Sequence, residues 1–163
     1  MPERPVGGRR WLWLSALVVV LDQATKALAE WFLDPARPVD LLPVLALHLT
    51  HNRGAAFSLL ADAGGWQRGF FIVLTVAVVA FLIHWLGRLQ TAERLAAIGL
   101  ALVIGGALGN LVDRIASGEV VDFIDAHWGH WHWPAFNLAD SAITVGVALL
   151  LWDGIRGKGR SAE

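Results

Sequence analysis

The chain has 163 residues, 56% of them hydrophobic and only 17% charged, with a positive mean hydropathy; this is too apolar for an ordinary soluble domain and selects a membrane protein. A formal net charge of -1, with no lysine-rich patch interleaved with aromatics, excludes nucleic acid as a partner. The absence of cysteine excludes a thiol nucleophile, thiolate metal ligands and a disulfide framework.

Residues 1–10 are polar, hold Pro2, Pro5 and the Gly7-Gly8 pair, and read as a disordered tail. Arg4, Arg9 and Arg10 then precede an apolar run, as in a secretory signal. A signal's apolar core spans about 7–15 residues, whereas this run covers 11–32 and can cross a bilayer. It is the first predicted transmembrane helix. Asp22 and Lys26 lie on one face of it at i,i+4, either as a structural ion pair or as groups with a direct chemical role. Gln23 and Thr25 add polarity nearby.

Pro35, Pro38 and Pro43 end that helix, and residues 39–60 contain no run long enough to span a membrane. Residues 44–50 alternate and read as a strand, 51–54 as a turn, and 55–60 as its continuation, so a small sheet or hairpin is predicted over 39–60. Asn52 and Gly54 suit that turn; they could also present amide groups to an extended substrate. The second helix is predicted over 70–86, without a charged residue. After a short basic connection, the third is predicted over 95–112, with Gly105 and Gly109 in small-xxx-small spacing. It ends in Asn110, Asp113 and Arg114.

Residues 113–135 read as an outer loop, turned by Gly118, extended over 119–124, and carrying Trp128, Trp131 and Trp133 as an interfacial aromatic belt. The fourth helix is predicted over 136–152, with Asn137 and Asp140 in its first turn, and the glycine-rich tail 154–163 as disordered. The expected architecture is one integral membrane domain: an all-α core of four transmembrane helices with a small β-sheet on its outer face. Basic residues fall in both tails and in the 87–94 loop, so the positive-inside rule puts both termini in the cytoplasm and the sheet and acids outside.

Carboxylates beside lipid are costly, so Asp113, Asp122 and Asp140 are the candidate chemical groups. Two carboxyls in a low-dielectric site share a proton, one acting as acid and the other as base. Such a pair can activate water against an amide with no metal or cofactor. Asp113 adjoins Arg114 and is expected to stay ionised by that pairing, in a supporting role. Asp122 and Asp140 make the better dyad, with the helix amino terminus favouring the ionised form of Asp140. The alternative is that Asn137 and Asp140 only cap the fourth helix while Asp122 and Asp125 are solvated.

A metal centre would draw on Asp125, His127, His130 and His132, but their spacing matches no standard zinc motif, and no metal is expected. A Ser-Lys hydrolase lacks a serine placed near Lys26 or Lys158. A small transporter or channel using Asp22 and Lys26 at the midplane is the competing class, although the chain shows no internal repeat.

Five segments in series, DQATK at 22–26, NRGAAF at 52–57, GGALGNLVDR at 105–114, VVDFI at 120–124 and FNLADS at 136–141, resemble the motifs of the lipoprotein signal peptidase (signal peptidase II) family. The resemblance covers most of the chain. It implies a bacterial inner-membrane aspartic endopeptidase that removes signal peptides from diacylglyceryl-modified prolipoproteins, cutting before the lipidated cysteine. By this likeness Asp122 and Asp140 match the catalytic pair. Asp22, Lys26, Asn52, Gly54, Asn110, Asp113, Arg114, Asn137 and Ala139 fall in motif segments and would support or bind. The implied partners are lipid-modified prolipoproteins, membrane lipids and globomycin-type inhibitors.

Overall fold

A computed structural model describes residues 7–54 and 65–160. After a short 3-10 turn at Gly8–Trp11, the elements are α1 (Leu12–Phe32), β1 (Val39–Leu42), β2 (Leu45–Asn52), α2 (Trp66–Arg88), α3 (Arg94–Ala116), β3 (Val120–Trp128), β4 (Trp131–His132) and α4 (Leu138–Arg160). Among the described residues, four helices are long and apolar enough to cross a membrane. Large apolar side chains such as Val73, Phe81 and Leu151 stay exposed on them, as lipid-facing surfaces require.

α3 is the central helix. Leu100 and Ile104 on it are fully buried against Leu86 of α2, while its glycines admit the other two helices. A Cβ on Gly105 would meet Ser15 and Val18 of α1, and one on Gly109 would stand 2.5 Å from the Asp22 carboxylate. On another face, Gly99 and Gly146 oppose each other's carbonyls, and a Cβ on Gly106 would collide with the Ala139 carbonyl. The small-xxx-small pair therefore serves α1, and Gly99, Gly106 and Gly146 do the same for α4. Gly106→Val is expected to push α4 off α3 at a cost of about 1–3 kcal/mol, read as a lower melting temperature in detergent. Gly154→Ala, where nothing lies within 4 Å, should not lower it.

The two sheet-bearing connections, α1 to α2 and α3 to α4, leave the bundle at the same end. Their strands pair as one antiparallel sheet in the order β1-β2-β3-β4. β2 and β3 are its centre, in register at Thr50↔Asp122, His51↔Val121 and Asn52↔Val120. Leu49, Val121 and Phe123 seat the sheet on Ala29 of α1.

Several extents differ from the sequence expectation, each for a local reason. β2 runs through Asn52, beyond the expected turn at His51, because those residues still find partners on β3. β3 reaches Trp128 and turns back at Gly129, whose φ of 61° suits glycine. α3 continues to Ala116 because Arg68 donates to the carbonyls of Arg114 (2.9 Å) and Ile115 (2.7 Å), answering helix-end acceptors. Phe136 is not helical: it exchanges backbone hydrogen bonds with Ile124, extending the sheet. Of the tails expected to be disordered, residues 7–10 are ordered and Gly7 N donates to Leu89 O at 3.2 Å. α4 stays helical to Arg160. Residues 1–6, 161–163 and the expected strand segment 55–60, including Phe57, lie outside the described residues.

Candidate active site

The pairing of β2 with β3 fixes Asp122: Thr50 opposes it in register, and Thr50 Oγ1 donates to the Asp122 carbonyl at 3.3 Å. The start of α4 fixes Asp140. Asn137 Oδ1 accepts from Asp140 N at 2.9 Å, and Asp140 Oδ2 accepts from Asn137 N at 3.3 Å, a reciprocal capping box at a helix amino terminus. Both aspartates line one cavity of about 860 Å³, walled also by Asn52, Arg114, Phe136 and Thr144. Capping and facing the cavity are thus combined in Asp140 rather than being alternatives.

Each carboxylate is held by two N–H donors. Asp122 Oδ1 accepts from Asn137 Nδ2 at 2.8 Å, and its Oδ2 from Asn52 Nδ2 at 3.4 Å. Asp140 Oδ1 accepts from Asn110 Nδ2 at 2.8 Å. Burial and then the nearby charge of Asp140 push the Asp122 carboxyl up to about 7, against the opposing pull of the Asn52 and Asn137 hydrogen bonds and of Lys26. Asp122 is only 4% exposed, which makes desolvation the leading cause.

Behind this pair sits a buried ionic cluster. Lys26 Nζ reaches Asp22 Oδ2 at 2.8 Å, Asp113 Oδ2 at 2.7 Å and Asn110 Oδ1 at 2.9 Å, one acceptor for each of its hydrogens. Asp22 Oδ1 in turn accepts from Ala139 N at 2.9 Å, tying α1 to the start of α4. Asp113 accepts from Gln23 Nε2 at 2.7 Å and from Val121 N at 3.3 Å, which holds the head of β3. Both Asp22 and Lys26 are sealed from the cavity and from lipid, so they form a rigid strut rather than an open midplane binding site.

One sequence expectation is corrected here, and one part of the competing reading falls with it. The cation of Asp113 is Lys26, not its neighbour Arg114. Successive helix residues point in different directions, and the Arg114 guanidinium turns to the cavity, donating to Gly54 O at 3.1 Å and Asn110 O at 3.4 Å and lying over Phe71. Asp125 is not solvated: it is buried on β3 with His132 Nδ1 2.9 Å from its carboxylate. His130 sits in the hairpin turn and is no part of that contact. Gly54 contributes its carbonyl to Arg114, while its N–H donates to Asn52 Oδ1 at 2.9 Å, so the expected turn role of Asn52 coexists with its bond to Asp122. Thr144 was not singled out from sequence, and Gln23 was noted only as polarity near Asp22. Their signal was spacing: Gln23 adjoins Asp22, and Thr144 is one helical turn beyond Asp140, donating to its carbonyl at 2.8 Å.

A carboxyl that keeps its proton near neutrality beside a second, cavity-facing one can supply an acid and a base to a water between them. Residues 14–156 match the family model described as signal peptidase (SPase) II. The chain is 52% identical over 150 residues to the lipoprotein signal peptidase of Aeromonas hydrophila, covering 91% of this chain and 90% of that one. It is 51% identical over 161 residues to that of Pseudomonas aeruginosa strain PAO1, covering 97% and 95%. In structure it is similar to a bacterial membrane enzyme solved by the in meso method, with a TM-score of 0.83 and 29% identity over 93% of this chain and 90% of that one. A match along nearly the whole chain, on a four-helix membrane scaffold with a small sheet, establishes that this protein belongs to the signal peptidase II family of membrane proteases.

Proposed function

We propose that Asp122 and Asp140 are the aspartyl dyad of an endopeptidase that removes signal peptides from diacylglyceryl-modified prolipoproteins, cutting just before the lipidated cysteine. The observation that carries this reading is the pair of carboxyls, each held by two N–H donors, facing one cavity. Asp140 takes a proton from water as its oxygen attacks the scissile carbonyl, and Asp122 gives its proton to the carbonyl oxygen. Collapse of the diol breaks the C–N bond, the proton on Asp140 passes to the leaving nitrogen, and a diol proton returns to Asp122. Asn52, Gly54 and Arg114 line the substrate's path. Asp22, Lys26, Asn110, Asp113, Asn137 and Ala139 hold the acids in place.

The enzyme works in the bacterial inner membrane with both termini cytoplasmic and its site near the outer leaflet, where a lipid-anchored substrate arrives within the bilayer. That orientation follows from the basic tails and the 87–94 loop. Membrane lipids surround it, and a globomycin-type inhibitor would occupy the same cavity.

The test is cleavage by purified protein in detergent. A diacylglyceryl-modified precursor should be cut before its cysteine and the unmodified precursor should not; equal cutting of both would remove lipid recognition from the reading. In the same assay kcat/KM should fall as pH rises through about 7, because Asp122 then loses the proton it must donate. The linkage has a matching sign: the unfolded chain releases this proton near the ordinary 3.8, so stability falls as pH climbs from there through about 7. An activity that stays flat to pH 9 would count against Asp122 as the acid.

A further inference from the structure

Asp125 and His127 stand two residues apart on β3, hence on one side of the strand. β4 brings His132 directly opposite His127. One donor atom from each of the three side chains lies within 4.8 Å of the others. His132 Nδ1 is 2.9 Å and 3.0 Å from the two Asp125 oxygens, and the His127 and His132 rings stack with centroids 5.1 Å apart. Among the described residues, the single buried side-chain polar atom without a hydrogen-bond partner is His127 Nδ1. Leaving a buried imidazole nitrogen unanswered is costly, and two imidazoles with one carboxylate are ligands that borderline divalent ions prefer.

We propose that Asp125, His127 and His132 bind a divalent transition ion of the zinc class. Zinc–nitrogen and zinc–oxygen bonds of about 2.0–2.2 Å put tetrahedral ligands about 3.3 Å apart, so small side-chain rotations from the observed arrangement close the site. The fourth position falls to water or to His48, which lines the same groove of about 880 Å³. That groove shares Trp133, Pro134 and Ala135 with the cavity holding Asp122 and Asp140. An ion here pins β4 to β3 and so fixes the segment that walls the active site, without contacting the acids.

The experiment is metal analysis of the full-length protein in detergent, free of any polyhistidine tag, stripped with EDTA and dialysed against Zn²⁺. Wild type should retain about one equivalent, and Zn²⁺ should raise its melting temperature. His127→Ala/His132→Ala should bind at least about tenfold more weakly and show no thermal gain, while His130→Ala should behave as wild type. If the double variant loses its helical spectrum, Asp125→Asn and His132→Gln carry the same comparison. Binding below about a fifth of an equivalent by wild type, equal binding by the variants, or loss in His130→Ala as large as in the double variant would each overturn the site.

Discussion

Asp122→Asn and Asp140→Asn should each remove cleavage of a diacylglyceryl-modified prolipoprotein, lowering kcat by about 10²–10⁴-fold or more, the range for losing a positioned acid or base. The substitutions are isosteric, so the fold should survive. An asparagine at 122 can still accept from Asn137, though its amide then faces the Asn52 amide where a carboxylate oxygen accepted a bond at 3.4 Å. At 140 the capping box keeps an acceptor for Asn137 N. Neither amide can exchange a proton with water or with a leaving nitrogen. Circular dichroism and melting in detergent verify folding, and kcat with the lipidated precursor gives the result. Near-normal turnover by either folded variant would dissolve the dyad. Asp113→Asn is the informative contrast, since Asp113 bonds Lys26, Gln23 and Val121 N and does not line the cavity; its main effect should be on stability.

Lys26→Met should be the most destabilising single change in the bundle. The ammonium is 3% exposed and satisfies two carboxylates and one amide oxygen. Methionine fills similar space but leaves Asp22 and Asp113 buried without a cation, and breaking a buried ion pair in this way costs about 3–5 kcal/mol. Adding Asp22→Asn should recover part of that loss, because the two residues are coupled and their effects are not additive. Thermal unfolding of the single and double variants checks both statements. A Lys26→Met protein melting with wild type would show the cluster to be dispensable for the fold.

What the sequence disclosed and what it withheld divide along physical lines. Four spans were legible because membrane crossing leaves a long uninterrupted apolar record, and the acids stood out against it. The Asn137-x-x-Asp140 spacing is local, so capping was visible as well, although capping and chemistry looked like rivals until one side chain was seen doing both. Non-local pairings were hidden. Lys26 and Asp113 meet only after α1 and α3 pack through Gly105 and Gly109, and nothing in their neighbourhoods announces it, whereas adjacent Arg114 offered a false partner. β3 was read as a short segment within a loop because its first four residues are all buried, which erases the alternation that marks a half-exposed strand. The Asp125, His127 and His132 cluster depends on a cross-strand register that linear spacing does not encode.

The Asn137 side chain offers two amide hydrogens to three oxygens: Asp122 Oδ1 at 2.8 Å, Asn110 Oδ1 at 3.1 Å and Val121 O at 3.2 Å. Asn110 Oδ1 also accepts from Lys26 Nζ at 2.9 Å, so the two hydrogens can serve Asp122 and Val121 and leave no acceptor unanswered. Asn110 is itself bonded to Asp140 at 2.8 Å. Hydrogen bonds through the Asn137 and Asn110 amides therefore join Asp122 on the sheet to Asp140 on the helix, a second link besides the cavity they share.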